Sequence, residues 1–162
     1  MAFQTYQNIS MFAAPTMVTR LLADKNCGAT DTRGLSAIIY GGAPMYLADL
    51  KAGLEKLGPR FYGLYGQGES PMTITGLPQA MHGDVDHPRY EARLMSVGMA
   101  RTGVAFKVVD EAGREVPAGE IGEVITKSDC VMDGYWQNPE ANEKALRDGW
   151  LWTGDLGVVD ED

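Results

Sequence analysis

Apolar positions along this chain fall into two textures. In the first half they recur at helical spacing or in short continuous runs, and in the second they alternate. Met17, Val18, Leu21 and Leu22 follow Pro15 on one helical face, which predicts a helix over residues 15–24. Proline suits its first turn, where the missing N–H costs nothing. Asn26 and Gly28 end it, and residues 11–14 read only as a lead into Pro15. Residues 35–40 (Leu-Ser-Ala-Ile-Ile-Tyr) form a nearly continuous apolar run, the pattern of a parallel strand buried on both faces. Leu47, Leu50, Leu54 and Leu57 give a second helical stripe that Gly58-Pro59 stops. Phe61, Tyr62, Leu64 and Tyr65 then suit a pleated surface. Strand, helix and strand, with a glycine turn after each strand, predict a βαβ unit. Ligands of such sheets collect at the carboxyl ends of the strands, so Gly42 and Gly66 are expected to line one crevice.

After residue 78 the pattern changes. Residues 72–75 suggest one more short strand, and 78–93 read as a loop with two histidines and several acids. Val104, Phe106 and Val108 alternate with Ala105, Lys107 and Val109, as in a half-buried strand. Residues 110–114 read as a hairpin turn and 122–126 as the next strand. Asn138-Pro139 opens a short helix to residue 146. Asp148-Gly149 turns into Trp150-Leu151-Trp152, Thr153-Gly154-Asp155 turns again, and 156–159 form the last strand. The fold class predicted is α/β: a βαβ parallel-sheet segment followed by a small antiparallel β-sheet or barrel. The boundary is set at 85/86, giving an α/β part over 1–85 and a β-rich part over 86–162.

A chain of 162 residues makes one compact domain, or two small ones, and buries enough surface to need no staples. The net charge of −8 with no basic stripe argues against nucleic acid as a partner. A polyanion would have to be held locally, by backbone N–H groups or a metal. No apolar run reaches the length of a membrane span, and the first ten residues lack a signal pattern. A soluble, cytoplasmic protein is expected. Cys27 and Cys130 have no metal-ligand spacing and are expected as free, mostly buried thiols.

Two stretches carry candidate chemistry. In Tyr65-Gly66-Gln67-Gly68-Glu69 an aromatic ring, bare backbone and a carboxylate fall within five residues, a place for a flat base, a phosphate and a metal. Taken alone, a glycine turn beside an acid is more often only a turn. In Trp152-Thr153-Gly154-Asp155 the acid either accepts hydrogen bonds from a vicinal diol or caps its turn. His82, His87, Asp84 and Asp86 match no usual metal spacing and read as a solvated loop. Trp150 and Trp152 read as packing residues, and Asp110, Glu111, Glu115 and Glu120 as a solvated hairpin face. Ser70 and Ser96 show no histidine partner for nucleophilic catalysis.

Order and spacing make these stretches specific. Gly41-Gly42-Ala43-Pro44, Tyr65-Gly66-Gln67-Gly68-Glu69, Ser96-Val97-Gly98, Gly119-Glu120-Ile121-Gly122-Glu123, Gly134-Tyr135-Trp136-Gln137-Asn138-Pro139 and Trp152-Thr153-Gly154-Asp155 follow in that order. From residue 11 to the end the chain resembles the adenylate-forming superfamily, which includes acyl-CoA synthetases, aryl-CoA ligases, luciferases and peptide-synthetase adenylation domains. The resemblance implies that a carboxylic acid attacks the α-phosphate of ATP to give acyl-AMP, and that coenzyme A then displaces AMP. By the same resemblance Glu69 is the Mg²⁺ ligand and the catalytic residue. Tyr65 packs on adenine beside Leu64, Gly42, Ala43 and Pro44 border it, and Asp155 holds the ribose hydroxyls. Gly66, Gln67 and Gly68 lie where the acyl carboxylate meets phosphate.

Two places depart from the pattern: Met99-Ala100 differs from the commoner sequence after Val97-Gly98, with no evident chemical consequence, and the family usually carries Thr before the Glu, where this chain has Gly68. One hydrogen bond worth about 0.5–1.5 kcal/mol net is lost there. Family members run to roughly three times this length, with a phosphate loop upstream and a mobile C-terminal domain downstream. The chain is therefore expected to be the second half of the large N-terminal domain, to need the remainder of its parent enzyme, and to be inactive alone. Exposed strand edges would favour self-association. Two alternatives stand beside the acid-CoA ligase: a peptide-synthetase domain that adenylates an amino acid, and a non-catalytic structural or interaction fragment.

Overall fold

The structure, a computed structural model, describes residues 2–162, with side chains described from residue 4 onward. The chain forms two compact units. One comprises Met1–Tyr65 with Thr75–Met99, the other Gly66–Ile74 with Ala100–Asp162.

The first unit is built on parallel pairing. A short helix α1 (Ala2–Thr5) precedes strand β1 (Ile9–Ala13), helix α2 (Pro15–Ala23), strand β2 (Leu35–Gly41), helix α3 (Leu47–Leu57) and strand β3 (Phe61–Gln67). β1 runs parallel to β2, and β2 parallel to β3. β4 (Ser70–Leu77) lies next to β3 and the two-residue β5 (Met99–Ala100) next to β4, giving the order β1-β2-β3-β4-β5. Gly68-Glu69 alone joins β3 to β4, and a link that short requires neighbouring strands to run antiparallel. The core gathers Val18 and Leu22 from α2, Leu50 and Leu57 from α3, and Leu35, Ile38, Tyr40 and Phe61 from the sheet.

Four expectations change in this sheet and the helices around it. Residues 9–13 are a strand rather than a lead-in. Its side chains alternate half-buried and exposed, and the apolar Phe12 on the exposed side hides that pattern in so short a segment. β2 is not buried on both faces: Ser36 is exposed while Leu35, Ile38 and Tyr40 are buried. The strand at 72–75 is longer, Ser70–Leu77. Residues 78–93 are not a plain loop but carry α4 (Gln79–Gly83) and α5 (Tyr90–Met95). These two helices are too short for apolar periodicity to register. His82 on α4 is consequently buried instead of solvated.

The second unit holds a four-stranded antiparallel sheet. Its strands are β6 (Ala105–Val109), β7 (Gly122–Lys127), β8 (Leu146–Arg147) and β9 (Trp150–Gly157), in the order β6-β7-β9-β8. β6 and β8 stand at its two edges, so the sheet form of the expectation is the one observed. The 110–114 turn closes as expected, with the Asp110 and Arg114 backbones bonded at 2.9 Å. Asn138 caps helix α6 (Pro139–Ala145) by accepting from the Ala141 N–H at 3.2 Å. Cys130 is exposed, against the expectation of a buried thiol, because it sits in the irregular link between β7 and α6. Trp150 and Trp152 are half-buried, with the Lys107 amine 5.5 Å from the first ring and the Arg147 guanidinium 4.2 Å from the second. Among the described residues no helix is long and apolar enough to cross a membrane.

Candidate active site

The sequence predicts a turn at Thr153-Gly154-Asp155, yet β9 runs through it unbroken. Glu123 pairs with Leu156 and Ile125 with Trp152, so Thr153, Gly154 and Asp155 all face Val124 alone. Such a bulge bends a strand and re-aims its side chains. Gly154 makes it possible by taking a φ of +74°, where a side chain would strain the backbone. The bulge is tied down locally. Thr153 Oγ1 donates to the Val124 carbonyl at 2.7 Å and accepts from the Asp155 N–H at 3.1 Å. The Gly154 N–H donates to Glu123 Oε1 at 2.9 Å. The carboxylate of Asp155 is thereby lifted off the sheet into an exposed position.

Gln67 reaches this bulge from far along the chain. Its Nε2 donates to the Thr153 carbonyl at 2.9 Å and to Asp155 Oδ2 at 3.2 Å. The two stretches singled out in the sequence thus meet through one side chain. Its neighbour Gly66 is fixed by crowding: a Cβ there would stand 2.4 Å from the Met72 nitrogen and 2.5 Å from the Ser70 oxygen. Gly68 is the opposite case, with nothing within 4 Å of its Cβ position. Packing therefore does not forbid the Thr that the family pattern would place there.

Glu69 is half-buried and held at both ends by one segment. The Met132 N–H donates to its backbone carbonyl at 2.8 Å, and the Tyr135 hydroxyl donates to its Oε1 at 2.5 Å. That is the length of a charge-assisted O–H···O⁻ bond. The Glu69 carboxylate on the phenol, with some burial, pushes the Tyr135 pKa above its ordinary value. Sequence reasoning did not assign Tyr135 to the site, although it lies in the Gly134-Tyr135-Trp136-Gln137-Asn138-Pro139 motif quoted for the resemblance.

The remaining candidates lie in the first unit. Gly42, Ala43 and Pro44 are exposed directly after β2, and Leu64 and Tyr65 are half-buried near the end of β3. Gly41 pairs with Leu64, so the 42–44 turn and Tyr65 emerge next to each other at the carboxyl ends of neighbouring parallel strands. Ser70 is buried and bonded to Thr73, and Ser96 donates to the Arg93 carbonyl, so neither faces a histidine. Among the described residues no three His, Cys, Asp or Glu side chains cluster as a metal cage. A single carboxylate such as Glu69 suits Mg²⁺ that arrives on nucleotide phosphates and keeps several waters, the usual habit of that ion.

The chain thus carries a largely parallel α/β sheet and a separate antiparallel sheet, with Glu69 on the β3–β4 link of the first and Asp155 on the β9 bulge of the second. The sequence profile of AMP-binding enzymes covers residues 2–136, and the chain belongs to that family. It is 36% identical to a fatty acid–[acyl-carrier-protein] ligase of Streptomyces coeruleorubidus, over 91% of this chain and 28% of that protein. It is 34% identical to a medium/long-chain-fatty-acid–CoA ligase of Mycobacterium tuberculosis, over 91% of this chain and 25% of that protein. Among solved structures, the amide bond synthetase of Marinactinospora thermotolerans superposes with a TM-score of 0.82 at 32% identity, covering 94% of this chain and 30% of that one. O-succinylbenzoate coenzyme A synthetase of Bacillus subtilis, solved with AMP, gives 0.76 at 28% identity, over 94% of this chain and 29% of that one. The chain thus spans 25–28% of the length of these two ligases.

Proposed function

We propose that this chain supplies the adenine, ribose and metal contacts of an acid ligase that activates a carboxylic acid with ATP. The acid's oxygen bonds to the α-phosphorus as pyrophosphate leaves, giving acyl-AMP. The thiol of coenzyme A then attacks the acyl carbon, loses its proton and releases AMP. Gly42, Ala43 and Pro44 border adenine with backbone groups, and Tyr65 packs on it beside Leu64. Asp155 accepts from the ribose hydroxyls. Gly66, Gln67 and Gly68 flank the phosphate and the acyl carboxylate. Glu69 would hold Mg²⁺, which when bound neutralises phosphate charge. The chain alone does not complete the reaction and acts with the remainder of its parent enzyme, in the cytoplasm.

What carries the reading is the Asp155 carboxylate, raised on a glycine bulge and oriented by Gln67 at 3.2 Å, in a chain of the AMP-binding family. A diol presents two donors at the spacing of two carboxylate oxygens, and a bulge that lifts the acid clear of its sheet makes that approach possible.

The test is calorimetric titration of the chain with a non-hydrolysable acyl-AMP mimic, beside Asp155→Ala. Saturable binding is expected, weakened in the variant by about 1.5–3 kcal/mol, the range for hydrogen bonds to a charged group. Absence of binding by the unaltered chain would overturn the claim that it holds the nucleotide by itself.

A second reading changes only the acceptor. The relative at 36% identity is a ligase to acyl-carrier protein, which favours a carrier-bound thiol in place of coenzyme A. Both readings share the adenylate, and varying the thiol against a preformed adenylate separates them.

A further inference from the structure

We propose that Tyr135 is a positioning residue whose hydroxyl fixes one oxygen of Glu69 so that the other meets a divalent cation carried in on nucleotide phosphates. The inference rests on the assignment of Glu69 as metal ligand in the preceding reading.

The Tyr135 ring is 37% exposed, so it does not serve as core. Its hydroxyl instead spans 66 positions of sequence to reach Glu69 Oε1. Among the described residues Glu69 Oε2 accepts no hydrogen bond. A glutamate held at one oxygen only, on a glycine-flanked link between strands, is fixed in direction yet keeps an open acceptor.

The chemistry of the donor matters as much as its place. A lysine or arginine in contact with Glu69 would cancel the charge that a cation needs. A phenol orients the carboxylate and leaves its charge in place.

The backbone that carries the ring is itself held. The Tyr135 N–H donates to Asn142 Oδ1 at 2.6 Å, and Asn142 Nδ2 donates back to the Tyr135 carbonyl at 3.1 Å. Asn142 sits on α6, whose start Asn138 caps. Helix, asparagine, tyrosine and glutamate therefore form one chain of contacts. Partners behind a metal ligand act in this way, by setting its orientation.

Binding of ATP is measured by calorimetry twice, with Mg²⁺ and with EDTA, on the unaltered chain, Tyr135→Phe and Asp155→Ala. The quantity read is the ratio of the two affinities. Tyr135→Phe is expected to lower that ratio roughly tenfold or more, with little change in EDTA. Asp155→Ala is expected to weaken both affinities and keep the ratio. A general loss of fold would act like Asp155→Ala, so the ratio isolates the positioning role.

An unchanged ratio in Tyr135→Phe overturns the inference. A ratio of one in the unaltered chain overturns the metal assignment of Glu69 and the inference with it. Failure of the unaltered chain to bind ATP under either condition overturns the claim that it holds the nucleotide by itself, and the inference for this chain with it.

Discussion

The hydroxyl of Tyr40 and Nε2 of His82 meet at 3.0 Å inside the first unit, between strand β2 and the short helix α4. The other ring nitrogen, Nδ1, lies 2.9 Å from the Pro78 carbonyl, which can only accept. Nδ1 therefore carries the proton, and Nε2 accepts from Tyr40. Burial lowers the His82 pKa below its ordinary value, against a smaller opposing effect of the Pro78 carbonyl. The same burial raises the Tyr40 phenol.

A pH dependence follows from this pair. The unfolded chain takes up the His82 proton at a higher pH than the folded one, so stability is complete above about pH 6.5. It declines as pH falls below that value toward the lowered folded pKa. The slope approaches about 1.4 kcal/mol per pH unit within that window. Denaturant melts between pH 8 and 5 should show this loss, and His82→Gln should flatten it. An equal decline in both chains would place the titration elsewhere.

Gly66 and Gly68, two residues apart, should respond oppositely to an added side chain. Gly66→Ala drives a Cβ into backbone at 2.4 Å and should cost about 1–3 kcal/mol or more, because backbone cannot swing aside. Gly68→Thr enters open space and should stay within about 0.5 kcal/mol in stability. If the restored hydroxyl reaches phosphate, an acyl-AMP mimic should bind more tightly by about 0.5–1.5 kcal/mol. Urea midpoints and calorimetry read both effects. A neutral Gly66→Ala would show that the β3–β4 link is looser than described.

Catalysis by the isolated chain is expected to be absent, since it spans 25–28% of the length of related ligases. Acid-dependent exchange of pyrophosphate into ATP should not rise above that of Glu69→Ala. Exchange that the variant abolishes would show that adenylation needs only the groups in these residues.

Tyr135 illustrates how part of the site escaped the sequence. Its motif was visible, but nothing in a string of letters says that its hydroxyl bonds Glu69, 66 positions earlier. Gln67 is similar. The bonds of its amide to Thr153 and Asp155, 86 and 88 positions later, are equally invisible in the letters. His82 was misjudged for a related reason. A histidine among acids reads as solvated, and only a five-residue helix beneath the sheet turned it inward.

The sequence by itself determined the elements whose stabilising pattern is local. The leucine stripe of α3, the Pro15 start of α2, the Asn138 cap of α6 and the alternation in β6 and β7 each carry their signal within a few residues. Motif order likewise led to the family that residues 2–136 match. The tertiary structure decided what depends on distant partners. β1 exists because β2 pairs with it, and the 153–155 bulge because Val124 alone lies opposite. Both are matters of register, and register is fixed by strands that meet only after folding.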